Sequence, residues 1–435
     1  MPPEVRYLSH TVPRKRSNHS LLASCFTDVI EFALMYRLFQ TSMSNAINSD
    51  SKSAMNDNKR RKRARDKSIS PPPLRRKLNQ APDPATSSAP SKTQSSIPTP
   101  PKRNLHIISW NVNGISHLLP AKQKSITSFF APPSPQAHQS DADSDLDTSA
   151  SKSPLRTFLK RHDFPALLCL QEVKIAPKDE TTRKAVEKAA NAGEGPNYKA
   201  YFELPRDKYN ARGWGGKVYG VCTLVRYDLE SLSRGDVKTQ GVDWDQEGRV
   251  LSTEFEGWKL VVINGYWPNG TMNPWKDSET GVVKGTRHDM KRNFHSLMLE
   301  EVKGYERMGR DVVLVGDMNV ARSSIDGYPG IRLGAEHVHN RRDFHEKFFE
   351  RGDGMRGVDT WREIHKEKKG YSYHGERAEE WGTSCDRVDL GIVSSGLVKR
   401  GGLVGAEIWE SVLERGESDH VPIGVVLDME VKSSR

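Results

Sequence analysis

Cysteine is scarce. Cys25, Cys169, Cys222 and Cys385 are the four in 435 residues and no two share a CxxC spacing, which excludes a disulfide framework and a structural zinc ribbon and makes a reducing compartment the expectation. Long apolar runs are missing as well. The most apolar stretch, 21–39, is broken by Asp28, Glu31 and Arg37, so it is too short and too charged to span a bilayer. Arg14, Lys15 and Arg16 upstream invite the reading of an amphipathic targeting helix, whereas its two acids argue against a transit peptide. A weakly helical extension ahead of Met43 accounts for it equally well.

The third lack is one-signed charge in the body of the chain. Lys+Arg number 66 against 56 Asp+Glu, but 19 of the bases and 7 of the acids lie in residues 1–103, leaving 47 against 49 and a net −2 for the rest. The basic character is a property of the tail, so any anion site in the body has to gather its cations locally. Aromatic residues are nearly absent from 44–103, a Ser/Pro/Asn/Lys/Arg stretch that cannot bury enough apolar surface to offset the entropy of ordering. Residues 1–103 are therefore expected to form a disordered basic tail. Its clusters Lys59-Arg60-Arg61-Lys62-Arg63-Ala64-Arg65 and Arg75-Arg76-Lys77 read as a nuclear import signal or a polyanion anchor.

Folded sequence is expected over 104–430. Strands are predicted at 166–170, 218–225, 249–255, 259–264, 311–315, 388–393 and 421–427, after a first one ending at Trp110-Asn111-Val112-Asn113-Gly114. Helices are predicted at 155–161, at 286–305 with Met290, Phe294, Leu297 and Val302 on one face, and at 341–350. Strands outnumber helices and several are joined by short turns, which predicts a layered α/β sandwich with much antiparallel pairing. Residues 131–154, rich in Pro, Ser and Asp, read as a disordered insert.

What the body does have is a set of polar residues at strand ends. Asn111 and Asn113 follow the first strand, Gln171 and Glu172 the second; Tyr266 and Asn269 follow the strand at Val262, Asp317 and Asn319 the one at Val315, and Ser418-Asp419-His420 precede the last. Any one of these is ordinary turn or capping chemistry. Five together are not. Glu172 and Asp419 with amide oxygens suit Mg²⁺, which takes one or two carboxylates plus water and phosphate oxygens. Asp317 beside Asn319 can orient and deprotonate water, and a histidine held by a buried Asp can meet the charge of a phosphorane or move a proton. Phosphodiester hydrolysis needs those functions in one cleft.

These segments, with Leu170-Gln171-Glu172-Val173-Lys174, Asp245-Gln246-Glu247-Gly248-Arg249-Val250, Gly265-Tyr266-Trp267-Pro268-Asn269, Gly316-Asp317-Met318-Asn319, Arg387-Val388-Asp389 and Ser418-Asp419-His420, resemble the exonuclease III type of abasic-site endonuclease within the endonuclease/exonuclease/phosphatase superfamily. The resemblance covers nearly all of 105–427 in the family's order. It implies a four-layer sandwich of two mostly antiparallel sheets flanked by helices, with the cleft at one edge. It gives the metal, Mg²⁺ with Mn²⁺ as the alternative, to Glu172 with Asn113 and Asp419. It makes Asp317 the water activator, has Asn319 and Asn111 orient groups around the phosphate, pairs His420 with Asp389, and brings Tyr266 to the phosphate or leaving group. Asn269, Lys174, Arg387 and Tyr373 are the residues expected to touch DNA.

Two positions depart from the family. Asn113 stands where some members carry Asp. Asp386 stands where an aromatic often lines the pocket for the base-less sugar, so the pocket relies on Tyr373 and Val388, and Asp386 would repel a phosphodiester unless paired, with Arg387 the expected partner.

Other signals are weaker. Arg212-Gly213-Trp214-Gly215-Gly216-Lys217 lacks the Ser/Thr and glycine spacing of a phosphate loop, and His337, His339 and His345 read as a solvated helix face rather than a metal cluster. Gln123-Lys124-Ser125-Ile126-Thr127-Ser128-Phe129-Phe130 resembles a sliding-clamp (PCNA) docking peptide, with Ile126, Phe129 and Phe130 as an apolar plug beside Gln123. Core residues of a short helix are the alternative. The combined expectation is a monomeric, nuclear, Mg²⁺-dependent phosphodiesterase acting on DNA with abasic or damaged sites, with 3′-end trimming, a mitochondrial pool left open and no membrane span. The alternatives are a phosphodiesterase for RNA tails or protein-linked DNA ends, and an inactive scaffold docked on the clamp.

Overall fold

The computed structural model describes residues 104–120, 153–211, 218–350, 352–375 and 382–430. The basic tail, the clamp-type peptide at 123–130, the insert up to 152 and the glycine-rich 212–217 lie outside the described residues. The last two residues of the expected insert belong to the first helix: Ser153 caps it by accepting from the Arg156 amide at 3.3 Å.

The strands are β1 (Asn104–Asn111), β2 (Leu167–Gln171), β3 (Tyr198–Glu203), β4 (Val221–Arg226), β5 (Val237–Gly241), β6 (Val250–Phe255) and β7 (Leu260–Tyr266). There follow β8 (Pro274–Lys276), β9 (Val283–Thr286), β10 (Asp311–Asp317), β11 (Gly327–Tyr328), β12 (Val358–Asp359), β13 (Tyr373–His374), β14 (Cys385–Asp386), β15 (Asp389–Val393), β16 (Leu403–Ile408) and β17 (Ile423–Asp428). Four longer helices are α1 (Pro154–Arg161), α2 (Glu180–Ala190), α3 (Arg287–Arg307) and α4 (Ala335–His345). One six-stranded sheet runs β16-β17-β1-β2-β4-β3 and the other β12-β15-β10-β7-β6-β5. Each contains one parallel pair, β1 with β2 and β7 with β10, and is otherwise antiparallel.

The period-two burial of each strand builds the layers. On β1, Leu105 and Ile107 join Leu167, Cys169 and Val425 of the same sheet and Val262, Val313 and Val315 of the other in a core between the sheets. Ile108 and Trp110, one residue out of phase, pack instead on Leu155 and Phe158 of α1 and Val186 of α2. Likewise Val312 and Leu314 of β10 turn away from the sheet-sheet core toward Phe294, Met298 and Val302 of α3 and Phe344 of α4. Helices, sheet, sheet and helices form the expected four layers. Truncating Met298 or Phe344 to Ala in such a core costs about 2–5 kcal/mol.

The helices differ in detail from expectation. α3 starts in a capping box, the Thr286 amide donating to Asp289 Oδ2 at 2.8 Å, and its inner stripe is Arg287, Lys291, Phe294, Met298, Val302 and Tyr305, with Met290 and Leu297 only at the margin. Spacings of three and four make this one face; two of its members are basic, which apolar periodicity does not detect. α4 begins six residues before the predicted start at 341, and the chain from Glu346 to Glu350 is a wider turn. α2, capped by Asp179 accepting from the Thr182 amide at 2.9 Å, was not predicted, and the loop at 270–285 holds the β8–β9 hairpin.

Candidate active site

The two parallel pairs put four strand ends at one edge. Asn111 lies opposite Gln171 and Tyr266 opposite Asp317, while the antiparallel β15 starts there with Asp389 opposite Asp317. The segment leading into β17 is tied to the same edge: Ser418 Oγ donates to the Asn111 carbonyl at 2.6 Å and Trp110 Nε1 to the His420 carbonyl at 3.0 Å. β7 and β10 approach so closely that a Cβ on Gly316, at φ 140°, would lie 1.9 Å from the Gly265 carbonyl, so only glycine can deliver Asp317 here. Asn113, Glu172, Lys174 and Asn319 all have φ near 50°. Left-handed backbone is uncommon outside glycine and clusters where function requires it.

Asn111 is the hub. Its buried Nδ2 lies 3.0 Å from Glu172 Oε1, 3.1 Å from Asp317 Oδ2 and 3.5 Å from His420 Nε2, so residues remote in sequence converge on one amide. His420 Nδ1 lies 2.7 Å from Asp389 Oδ2. Burial lowers the basicity of the imidazole, but Asp389 and then Asp317 outweigh it and hold His420 as the imidazolium. Burial, followed by repulsion from Asp389, pushes Asp317 above the usual carboxylate range, with His420 pulling the other way. Burial also pushes the Glu172 carboxyl up, yet the Lys174 ammonium and hydrogen bonds from Asn111 and Tyr266 hold it below its ordinary value. The Tyr266 hydroxyl, buried beside Glu172, stays protonated.

Glu172, Tyr266, Asn269, Asp317, Asn319, Tyr373, Asp419 and His420 line one pocket of about 200 Å³. Asn111 and Asp389 stand behind it. Asn319 Nδ2 donates to the Trp267 carbonyl at 3.0 Å and its amide to Asp317 Oδ1 at 2.9 Å, which fixes the Asp317 carboxylate.

A cation fits this donor set. The Lys174 ammonium bonds Asn113 Oδ1 and lies 3.0 Å from Glu172 Oε2, standing in for positive charge between two of the oxygens expected to bind metal, with the Asp419 carboxylate in the same pocket. Asp317, Asp389 and His420 are also close enough together to hold an ion. The 2.7 Å contact between His420 and Asp389, however, has the length of an N–H···O hydrogen bond, so these two share a proton, with Asp317 3.9 Å from the other ring nitrogen.

Lys174 is thus engaged with Glu172 and Asn113, and Arg387 is a correction. It is 1% exposed and saturated: Nε to Asp326 Oδ1 at 2.7 Å, Nη1 and Nη2 to the two oxygens of Asp359 at 3.1 and 2.8 Å. It cannot reach DNA, nor does it neutralise Asp386. The cations acting on Asp386 are Arg332 and Arg341, against burial, which raises its carboxyl. These two, with Lys291, His337 and Asn340, also line the pocket, so His337 is not on a purely solvated face. No motif marked the other four. The one available signal was Lys291 in register with Phe294 and Met298 on α3.

Residues 108–420 match the Endonuclease/Exonuclease/phosphatase family. The chain belongs to that family. A curated relative, DNA-(apurinic or apyrimidinic site) endonuclease 2 of Bos taurus, is 25% identical over 251 residues, 53% of this chain and 41% of the bovine one. The chain thus spans well under half the length of that relative. Among solved structures, the AP endonuclease LMAP of Leishmania major is similar with a TM-score of 0.50 at 19% identity, covering 77% of this chain and 91% of that one. The APE2 catalytic domain of Xenopus laevis gives 0.47 at 19%, covering 74% and 91%. The LMAP likeness is one of fold.

Proposed function

We propose that this family member is a Mg²⁺-dependent DNA phosphodiesterase that incises beside abasic sites in base excision repair and trims 3′ ends. The observation that carries the reading is the convergence of Glu172, Asp317 and His420 on the Asn111 amide in one pocket, in a chain related to an enzyme named for apurinic or apyrimidinic sites.

In this reading Glu172, Asn113 and Asp419 hold the ion, which supplies positive charge to the phosphate oxygens. Asp317, kept short of easy ionisation by burial, takes the proton of the attacking water, and Asn319 keeps its carboxylate aimed. Asn111 restrains Asp317 and His420 in mutual register. The His420 imidazolium, stabilised by Asp389, faces the phosphate as its negative charge builds. The protonated Tyr266 donates a hydrogen bond to the phosphate or the leaving oxygen. Asn269 and Tyr373 border the strand. The basic clusters at 59–65 and 75–77 direct the chain to the nucleus, and 123–130 docks on a sliding clamp.

The test is a duplex carrying one abasic site, given to purified protein with Mg²⁺ or with EDTA. Chelator-sensitive incision that disappears in Asp317→Ala is expected. Activity confined to 5′-tyrosyl ends or poly(A) would move the substrate elsewhere, and inactivity on all three would leave a scaffold.

A further inference from the structure

The mechanism above leaves one wall of the pocket unused. Lys291 on α3, Arg332 in the loop before α4 and Arg341 on α4 line it together with Asp386. Three cations here meet one acid, while the remaining lining acids, Glu172, Asp317 and Asp419, belong to the metal and the water.

One of these cations is under-partnered for its setting. Lys291 is 2% exposed, yet its ammonium, which has three donors, makes one hydrogen bond among the described residues, 2.8 Å to the Asn319 carbonyl. Arg332 is exposed, and its guanidinium lines the mouth of the pocket with no hydrogen-bond or ion-pair partner among the described residues, so it is available to an incoming anion. Arg341 is held rigidly, Nε to the Ala321 carbonyl at 2.8 Å and Nη2 to the Arg332 carbonyl at 2.7 Å, which ties the Arg332 loop to α4. Charge gathered in a concave, partly dry wall is unfavourable by itself and becomes favourable when an anion arrives. Guanidinium forks match phosphate geometry.

We propose that Lys291, Arg332 and Arg341 form a subsite for a second phosphate of the substrate strand, next to the phosphate that is cut. It rests on the phosphodiesterase reading and deepens it. The second phosphate is either the neighbouring backbone phosphate of an internal site or the terminal phosphate of a blocked 3′ end. Asp386, felt by both arginines, limits the affinity of the subsite, so a substrate lacking that phosphate gains nothing from the wall and meets a carboxylate there. This gives Asp386 a specificity-determining role in place of an apolar sugar-lining one.

The experiment measures binding, with the full chain carrying Asp317→Asn, in EDTA, by fluorescence anisotropy. One duplex holds an internal tetrahydrofuran abasic analogue, with the first phosphate on either side of the analogue replaced in turn by a neutral methylphosphonate. The other is a recessed duplex ending in 3′-phosphate or 3′-hydroxyl. In the parent chain, losing the second phosphate at one flank, at the end, or at both is expected to weaken binding at least 5-fold. After Arg332→Gln the same loss costs less than 2-fold, and Asp386→Asn tightens binding only where that phosphate is present. A loss confined to the internal duplex identifies a backbone phosphate, and one confined to the recessed duplex a terminal phosphate. An equal penalty in the parent and in Arg332→Gln in both arms overturns the subsite, as does no penalty in the parent. Equal affinity for abasic and undamaged duplexes would count against the abasic reading alone, since each phosphate comparison is internal to its own duplex.

Discussion

His420 Nδ1 sits 2.7 Å from Asp389 Oδ2 while His420 Nε2 is 3.9 Å from Asp317 Oδ2, so one imidazole stands between two buried acids. Asp389 itself is 1% exposed and its Oδ1 has no hydrogen-bond partner among the described residues. Its carboxylate is therefore committed to His420.

Residues acting as one unit lose their function together. Asp389→Asn and His420→Ala should each lower kcat about 10²–10⁴-fold, the usual range for positioned proton-transfer groups, and the double variant should be little worse than either single. Steady-state incision assays on the four proteins check this; multiplicative losses would show that the two side chains act separately.

Metal affinity should respond to Glu172 differently from Asp317. Removing one ligand charge in Glu172→Gln is expected to raise the Mg²⁺ concentration for half-maximal incision by roughly 10–100-fold, a range typical of weakened metal sites. Asp317→Ala should leave activity absent at every Mg²⁺ concentration. Titrating Mg²⁺ at saturating DNA separates the two.

Arg387 stabilises; it does not bind DNA. Truncation to Ala leaves Asp326 and Asp359 with the flanking Arg362 and Arg322 as their ion-pair partners, and stripping one partner from a buried ion pair costs about 3–5 kcal/mol. Arg387→Ala is expected to lower the denaturation midpoint strongly while DNA affinity of the folded fraction stays within 2-fold of the parent.

That contrast shows what was legible in the sequence. Asp317, Glu172 and His420 were legible because hydrophobic strands end abruptly in acids, amides and an imidazole, and strand ends on one edge of a sandwich must meet. Arg387 was misjudged because a charged residue beside a site residue reads as solvated; what buries it, Asp326 and Asp359, lies 61 and 28 residues away in segments without a motif. The cationic wall was illegible for a related reason. Lys291 and Arg341 sit on helices whose polar residues look like ordinary surface, and only tertiary packing turns them toward the pocket. The β8–β9 hairpin escaped because strands of three and four residues carry too short an alternation to stand out.

Histidines withdrawn from solvent weaken the fold on the acid side. Burial lowers His106 and His295 from 6.5 to about 4, so both are neutral in the folded chain where the unfolded chain would bind a proton. Their contribution is complete above pH 6.5 and lost as pH falls toward 4, at up to about 1.4 kcal/mol per pH unit for each. Urea midpoints measured from pH 7 to pH 5 should fall, and less steeply in His106→Gln or His295→Gln; parallel slopes would place the sensitivity elsewhere.

Lys291 should show the opposite trade. Burial, set against the pull of Asp317, lowers its ammonium from 10.5 to about 7. The folded chain therefore carries the cost of a buried charge below pH 7, and that cost fades as pH rises to 10.5, where the unfolded chain also releases its proton. Lys291→Met removes it. The variant should be more stable than the parent at pH 6, by about 1–3 kcal/mol on the scale of an uncompensated buried polar group, and no more stable at pH 10.5. A bound phosphate strand supplies the missing counter-charge, so DNA should raise the melting temperature of the parent at pH 6 by more than it raises that of Lys291→Met. Equal DNA-induced shifts would mean that the lysine serves the Asn319 turn alone; a smaller shift in the variant, together with its higher intrinsic stability, would mean that the fold tolerates a destabilising charge because the substrate neutralises it.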